Sequence, residues 1–210
     1  MELLLNEEVL KLSPDKYLIW GRESMLVMSD LHLGKVSHFR KHGIAAPHAL
    51  IQEELNRIQS ILDREAPKKW MIVGDLFHSS HNHEWELFAG LLQHYPRLET
   101  ILVRGNHDII PGFMTKEAGL KTSSTYFLQP FLFSHHPHEH AAHYLISGHM
   151  HPGIHIKSKA RQSLRLPCFC FADKYAILPA FGRFTGLDLV DKTKNNRIFA
   201  IANHEIIEMK

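Results

Sequence analysis

"MLVMSDLH" (residues 25–32) sets four apolar side chains directly against Ser29 and Asp30. A short unbroken apolar run that ends on polar residues reads as a strand buried on both faces. The device recurs: "WMIV" precedes Gly74-Asp75, "ILV" precedes Arg104-Gly105-Asn106, "FLF" precedes Ser134-His135, and "YLI" precedes Ser147-Gly148-His149. Between the first three runs lie helix patterns. Ile51, Leu55, Ile58 and Leu62 repeat at helical spacing after Pro47, and Trp85, Phe88, Leu92 and Tyr95 repeat before Pro96. Strand-helix-strand-helix-strand calls for a mainly parallel sheet. From about residue 127 the helix pattern gives way to short strands, up to "RIFAIA" and "EIIEM". This predicts antiparallel β structure that packs with, or extends, the first sheet. The expected fold is an α/β sandwich of two sheets, in a single domain over residues 1–210.

The bulk composition fits that fold. At 210 residues, with 44% hydrophobic and 22% charged residues, the chain has the makeup of an ordinary globular domain. A net charge of +2 permits an anionic partner without announcing one, since nucleic-acid footprints depend on local clustering. The only two cysteines, Cys168 and Cys170, sit in "LPCFCFAD" at strand spacing beside Phe169 and Phe171. They read as buried free thiols in a reducing compartment. Glu7 and Glu8 interrupt the apolar N-terminus, so it does not read as a signal peptide. No run approaches the ~18 apolar residues of a membrane span. A cytoplasmic protein with no membrane partner is the expectation.

In open α/β sheets, ligands bind beyond the carboxyl ends of the strands. Here that rim carries Asp30, Asp75, Asn106, His135 and His149, so all five strand ends offer a candidate metal ligand. Any one of these residues is unremarkable at a turn; the full set argues for one shared site. "DLH" and "GHMHP" add His32 and His151, each two residues from its partner, which in extended backbone sends both side chains to one side. Oxygen and imidazole donors without thiolate suit divalent manganese, iron or zinc. Two such ions, with one shared carboxylate, match the donor count.

These motifs, in this order, resemble those of the calcineurin-like metallophosphoesterases. The resemblance runs through "DLH", "GD", "GNHD", "SHHP" and "GHMHP", over roughly residues 24 to 156. It implies an α/β/β/α two-sheet sandwich and a pair of divalent ions, with manganese the first choice. Asp30, His32, Asp75 and His151 would hold one ion, and Asn106, His135 and His149 would complete the other, with Asp75 bridging. "DLHLGKVSHFRKHGI", "GDLFHS" and "RQSLRLPCF…LPAFGRFTG" look like the ligase-associated, PdeM-type branch of the family, over nearly the whole chain. That likeness implies DNA repair, with ligase- or helicase-type proteins as partners.

The implied chemistry is hydrolysis of a phosphoester, two ions activating a water between them for in-line attack on phosphorus. His107, beside Asn106, is the candidate to protonate the leaving oxygen, and Asp108 to orient it or to bond a ligand. The family's protein phosphatases carry an Asp and an Arg soon after "GD"; "GDLFHSSH" has neither, which disfavours phosphoprotein substrates. His135 and His136 compete for one ligand position, and the residue next to the strand is preferred. His138, His140 and His143 read as solvated side chains on a hairpin connection, and His81 and His83 as solvated at the start of the second helix. His78 lies near Asp75 without being assigned.

Basic residues follow the ligand motifs: Lys35, Arg40 and Lys41 after the first, Lys157, Lys159, Arg161 and Arg165 after the last. Of these, Lys35, Arg40, Arg161 and Arg165 are the candidate contacts to a phosphodiester backbone, against a solvated basic face as the plain alternative. The reading is a phosphodiesterase or nuclease acting on nucleic acid. Its rivals are a phosphatase or phosphodiesterase for nucleotides or other small molecules, and a non-catalytic binding subunit of a repair complex.

Overall fold

Met25–Ser29, Lys69–Val73 and Glu99–Val103 are neighbouring parallel strands, as their apolar runs predict. In chain order they are β4, β5 and β6 of a seven-stranded sheet. β7 (Lys121–Ser123) adds in parallel to β6. The other edge is an antiparallel meander of β1 (Glu2–Leu5), β2 (Glu8–Ser13) and β3 (Tyr17–Trp20), joined to β4. The computed structural model describes residues 1–35, 49–77, 82–157, 163–183 and 185–210.

α1 (Ala49–Glu65) and α2 (Asn82–Gln93) cover one face of this sheet. Leu55, Ile58 and Leu62 of α1 and Trp85, Phe88 and Leu92 of α2 pack on Leu26, Met28, Trp70 and Ile72. Tyr95 lies past the end of α2 and donates its hydroxyl to the Asp63 carboxylate of α1. A third helix, α3 (Gly112–Glu117), not expected from the sequence, joins β6 to β7. Among the described residues no helix is long and apolar enough to cross a membrane.

The second sheet contains β8 (Thr125–Leu128), β9 (Phe131–Ser134), β10 (Tyr144–Ser147), β11 (Pro152–Lys157), β12 (Ser163–Ala172), β13 (Tyr175–Ile177) and β14 (Asp188–Leu189). Their spatial order is β14-β11-β12-β13-β10-β9-β8, and β15 (Asn196–Ala202) and β16 (Glu205–Met209) branch from β12. The expected antiparallel pairing holds for β8–β9, β11–β12, β12–β13, β12–β15 and β15–β16. At the centre it fails: β9, β10 and β13 are parallel. The segment between His135 and His143 is therefore a crossover and not a hairpin. The parallel arrangement puts the carboxyl ends of β9 and β10 on the same rim, which a hairpin would place at opposite ends.

The two sheets face each other across an apolar layer. Val27, Met71, Val73, Ile101 and Val103 meet Phe131, Phe133, Ile146, Phe169, Phe171 and Phe199. Strand alternation sends the intervening side chains outward. On the second sheet these include Cys168, Cys170, Ile198 and Ala200, which form a separate small cluster with Ile154. Both cysteines are buried free thiols, as expected, and burial pushes the Cys168 thiol up to about 12, so it does not ionise near neutral pH. The two-sheet α/β sandwich is as expected: among the described residues the helices cover one outer face, and β structure and loop close the other.

Candidate metal centre at the strand ends

Every metal-ligand candidate except Asn106 and His135 follows its strand through a left-handed residue or is one. Asp30, His32, Asp75, His149 and His151 have φ of 50°, 47°, 47°, 70° and 49°. The expectation that Asp30 and His32 diverge from extended backbone onto one side is therefore replaced by a sharper device. The chain kinks at each of these five residues, and the kinks turn the side chains inward. Left-handed backbone at non-glycine residues is strained and concentrates where the surrounding structure over-determines it.

Cross-strand bonds hold the kinks. The amides of Asp30 and His32 donate to the Gly74 and Asp75 carbonyls, at 3.1 and 2.9 Å. The His149 amide donates to both Asp30 oxygens, at 3.1 and 3.0 Å, and the His107 amide to Asp75 Oδ1 at 3.1 Å. The glycines before the ligands make room for the neighbouring ligand. A Cβ on Gly74 would lie 1.9 Å from His135 Nδ1, one on Gly105 2.2 Å from Asp75 Oδ1, and one on Gly148 2.4 Å from Asp30 Oδ2.

The side chains form overlapping clusters: Asp30, His32 and His151; Asp30, Asp75 and His135; and His135, His136 and His149. His32 Nε2 and His151 Nε2 face each other at 3.1 Å, as do His135 Nε2 and His149 Nδ1. Asp75 Oδ2 lies between the groups, 3.9 Å from His32 Nε2 and 3.5 Å from His135 Nε2. Asp30 Oδ1 is 3.5 Å from His151 Nε2. His136, set aside at the sequence level, is drawn in: its Nε2 is 2.7 Å from Asn106 Oδ1 and its ring 4.2 Å from that of His149. The signal was the His135-His136 doublet itself, since a bend after β9 turns two consecutive rings to one side.

The donor set fits divalent cations. His135 is 2% exposed, and its Nδ1 is buried without a hydrogen bond. Imidazole nitrogens facing each other at 3.1 Å, flanked by carboxylates, are the arrangement a shared cation resolves. Burial lowers the His32 imidazole to about 4 against the pull of Asp30 and Asp75, and burial with the His135 and His136 charges lowers His149. Both rings are then neutral near pH 7, the form that binds metal. Burial pushes the Asp75 carboxyl up, but the His135 ring and the His107 amide outweigh it and hold the carboxyl well below the usual range. Burial depresses His135, and its contact with Asp75 more than reverses this.

The candidate catalytic residues separate. The His107 ring is exposed and stands over the cluster, 5.9 Å from the His32 ring. Asp108 is buried under the rim, where Oδ1 accepts the Leu76 and Phe77 amides at 2.8 and 3.4 Å and Oδ2 the Gly105 amide at 2.8 Å. These bonds go to backbone beside the candidate ligands Asp75 and Asn106. Asp108 thereby ties two ligand loops together.

Of the basic candidates, Lys35 follows the cluster on a tight turn, its amide donating to the His32 carbonyl at 3.2 Å. Its half-buried ammonium is lowered by burial and raised by Asp75. Arg165 is exposed on the β11–β12 hairpin opposite His155. That is four residues beyond His151, or roughly 13 Å of strand, so Arg165 stands apart from the cluster. Arg40, Lys41, His78, His81, Lys159 and Arg161 lie outside the described residues, and the side chains of Lys157 and His83 do also. His138 is exposed, as expected, and bonds the His136 carbonyl; His140 and His143, expected to be solvated, are half-buried and stack on each other with ring centroids 5.0 Å apart.

Residues 24–135 match the sequence profile of the calcineurin-like phosphoesterases. Among solved structures, the nuclease MPE of Pseudomonas putida superposes with a TM-score of 0.82 over 100% of this chain and 99% of that chain, at 24% identity. This is a likeness of fold. A predicted phosphoesterase of Streptococcus pneumoniae covers 88% of this chain and 95% of its own, with a TM-score of 0.35 and 12% identity. A search of curated proteins gives no match.

Proposed function

Because the chain belongs to the calcineurin-like phosphoesterase family, and so is a metal-dependent phosphoester hydrolase, we propose that it is a phosphodiesterase acting on nucleic acid. The observation that carries this reading is the position of Asp75, whose Oδ2 lies between His32 of one cluster and His135 of the other. A carboxylate so placed suits two ions bound side by side, with Asp30, His32 and His151 on one side and Asn106, His135 and His149 on the other. Divalent ions there, manganese by preference, would supply Lewis acidity and an attacking water acidic enough to work near neutral pH.

The chain's own residues do the rest. Lys35, whose charge acts on Asp75 and His32, is placed to hold a phosphoryl oxygen. His107, exposed over the His32 ring, gives a proton to the leaving oxygen. His136, bonded to Asn106, keeps that amide oxygen turned toward the ligands. A nucleic-acid substrate is supported by the resemblance to the ligase-associated branch, and the Pseudomonas putida neighbour is called a nuclease. The rim is also suited to a substrate with apolar parts. Ile109 and Phe113, 76% and 65% exposed, open the β6–β7 connection. Because that connection joins parallel strands, it begins on the same rim as the ligands. Repair proteins of ligase or helicase type are the proposed partners, and the cytoplasm the proposed location.

The test is a substrate panel of mono- and diesters, single- and double-stranded DNA, and RNA, with several divalent metals. We expect diester and oligonucleotide hydrolysis with Mn²⁺, and loss of both metal binding and turnover in Asp75→Asn. Full activity in that variant, or activity that survives chelation, would overturn the reading.

A further inference from the structure

The tail motif "LPAFGR" (residues 178–183) takes no part in the chemistry above, yet it runs directly beneath the ligands. The Leu178 amide donates to the Ser147 carbonyl at the end of β10, at 2.8 Å. Three residues later the Phe181 amide donates to the Ser29 carbonyl at the end of β4, at 2.9 Å, and the Gly182 amide to the Asp30 carbonyl at 3.1 Å. Ser29 Oγ returns a bond to the Pro179 carbonyl at 3.3 Å. One short segment thus staples the rim of one sheet to the rim of the other. The ligands are divided between the same two sheets: Asp30, His32, Asp75 and Asn106 follow strands of the first, and His135, His149 and His151 strands of the second. Gly182 admits no side chain here, since a Cβ would meet the Leu31 carbonyl oxygen at 2.7 Å.

The staple is itself gripped from the helical layer. Arg57 of α1 donates from Nη1 to the Phe181 carbonyl at 3.2 Å and from Nη2 to the Asp15 carbonyl at 2.6 Å. Its guanidinium lies 4.0 Å from the centroid of the Phe181 ring. Next along, the Arg183 amide reaches Glu54 Oε1 at 3.5 Å and Arg183 Nη1 reaches Glu53 Oε2 at 3.2 Å, both on α1. A planar, two-pronged donor stacked on a ring fixes both position and orientation, which an ammonium cannot do.

We propose that Arg57 is a positioning residue for the metal centre: by gripping Phe181 it fixes the Gly182–Asp30 bond, and with it the left-handed Asp30 that the Asp30, His32 and His151 site requires. The proposal rests on the dinuclear reading above. Asp30 has no conformational reserve of its own, since φ of 50° is disfavoured for aspartate unless its carbonyl and amide are both held. Loosening the grip frees the carbonyl side of that residue first, while the second site feels it at one remove, through the bonds from the His149 amide to the Asp30 carboxylate.

The test uses full-length metal-free protein titrated with Mn²⁺, following calorimetry and the electron-spin signal of coupled against isolated Mn²⁺. Arg57→Met keeps the stem and removes both donors; Arg57→Lys keeps the charge and one donor. Wild type is expected to bind two ions and give the coupled signal. In Arg57→Met one binding step weakens by about tenfold or more, the other stays within about twofold, and isolated Mn²⁺ appears at intermediate metal. Arg57→Lys falls between, and amide exchange at Phe181 and Gly182 in metal-free protein speeds up in the same order. Should Arg57→Met fail to fold, Arg57→Lys and its exchange rates decide alone. Unchanged binding in both variants, or equal weakening of both steps, overturns the proposal. Failure of the wild-type protein to bind a second ion overturns the dinuclear reading instead, and amide exchange still reports on the staple.

Discussion

Asp108→Asn distinguishes a residue that builds the site from one that reacts in it. The Asp108 carboxylate is 5% exposed and accepts three backbone amides, two from the loop after Asp75 and one from Gly105. An asparagine offers one acceptor oxygen and one NH2 group in the same space. Whichever way it turns, a donor faces a donor, and at least one buried amide loses its partner. Losing a charge-assisted bond and stranding an amide would each cost roughly 1–3 kcal/mol. Part of that is offset, because burial pushes the Asp108 carboxyl up and asparagine carries no such desolvation cost. A net loss of about 2–3 kcal/mol follows, or roughly 5–10 °C in Tm for a chain of this size. The assay is urea and thermal unfolding of metal-free protein, so that altered metal binding does not enter the difference. Turnover should fall in parallel with metal affinity and recover largely at saturating Mn²⁺. If instead stability is unchanged within about 0.5 kcal/mol, the loop-tying role is refuted. A selective loss of turnover on poor leaving groups would then restore Asp108 as the partner of His107.

Further predictions follow from other contacts. Gly74→Ala places a Cβ 1.9 Å from His135 Nδ1 on a residue whose φ is 76°, so it should expel His135 and reduce bound Mn²⁺ from two ions to one. Two ions bound at wild-type affinity would refute the packing argument. Phe113→Ala should raise KM for a normal oligonucleotide by about tenfold, the value of one stacked base, and leave an abasic oligonucleotide unaffected. An equal rise for both would remove Phe113 from substrate contact. Burial, with Arg57 and Arg183 nearby, lowers Lys16 to about 8. Its folded pKa lies below the unfolded value of 10.5, so the destabilisation is fully present below pH 8 and is relieved as pH rises to 10.5. Lys16→Met should therefore be more stable by about 2–3 kcal/mol at pH 7, with the gain gone near pH 10.5. A gain independent of pH across that range would assign the effect to packing.

The sequence made the centre of the first sheet legible because β4, β5 and β6 are buried on both faces and read as continuous apolar runs. β1 to β3 were illegible because "ELLL" lacks alternation, and the Asn6-Glu7 turn, with φ of 48° and 66°, does not use the glycine that usually marks such a hairpin. The parallel pairing of β9 and β10 escaped for another reason. Parallel neighbours normally announce a helical crossover, and here His135 to His143 cross without one. The residues that converge on the site were legible as residue types at strand ends. How they converge was not, because aspartate and histidine carry no sequence mark for left-handed backbone as glycine does. The three amides that Asp108 accepts were hidden for a similar reason, since no sequence pattern advertises them.

The distribution of strain explains why so much of the chain beyond the ligands is needed. Of the twelve non-glycine residues at positive φ among those described, five are the proposed ligands Asp30, His32, Asp75, His149 and His151. At roughly 1–2 kcal/mol each, that strain is comparable with the whole stability of a typical domain, so each kink must be held by bonds made only in the folded chain. For His32 and His149 those bonds go to other members of the set, from the His32 amide to the Asp75 carbonyl and from the His149 amide to the Asp30 carboxylate, while Asp75 Oδ1 accepts the His107 amide. For Asp30 the amide is held by Gly74, and among the described residues its carbonyl is answered from the tail, through Gly182. The set is thus held partly by its own members and partly from outside, by Gly74, His107, Asp188 and Gly182, and of these the Gly182 bond belongs to the segment that crosses between the two sheets. The tail motif is therefore placed where a single segment can register the two halves of the site against each other.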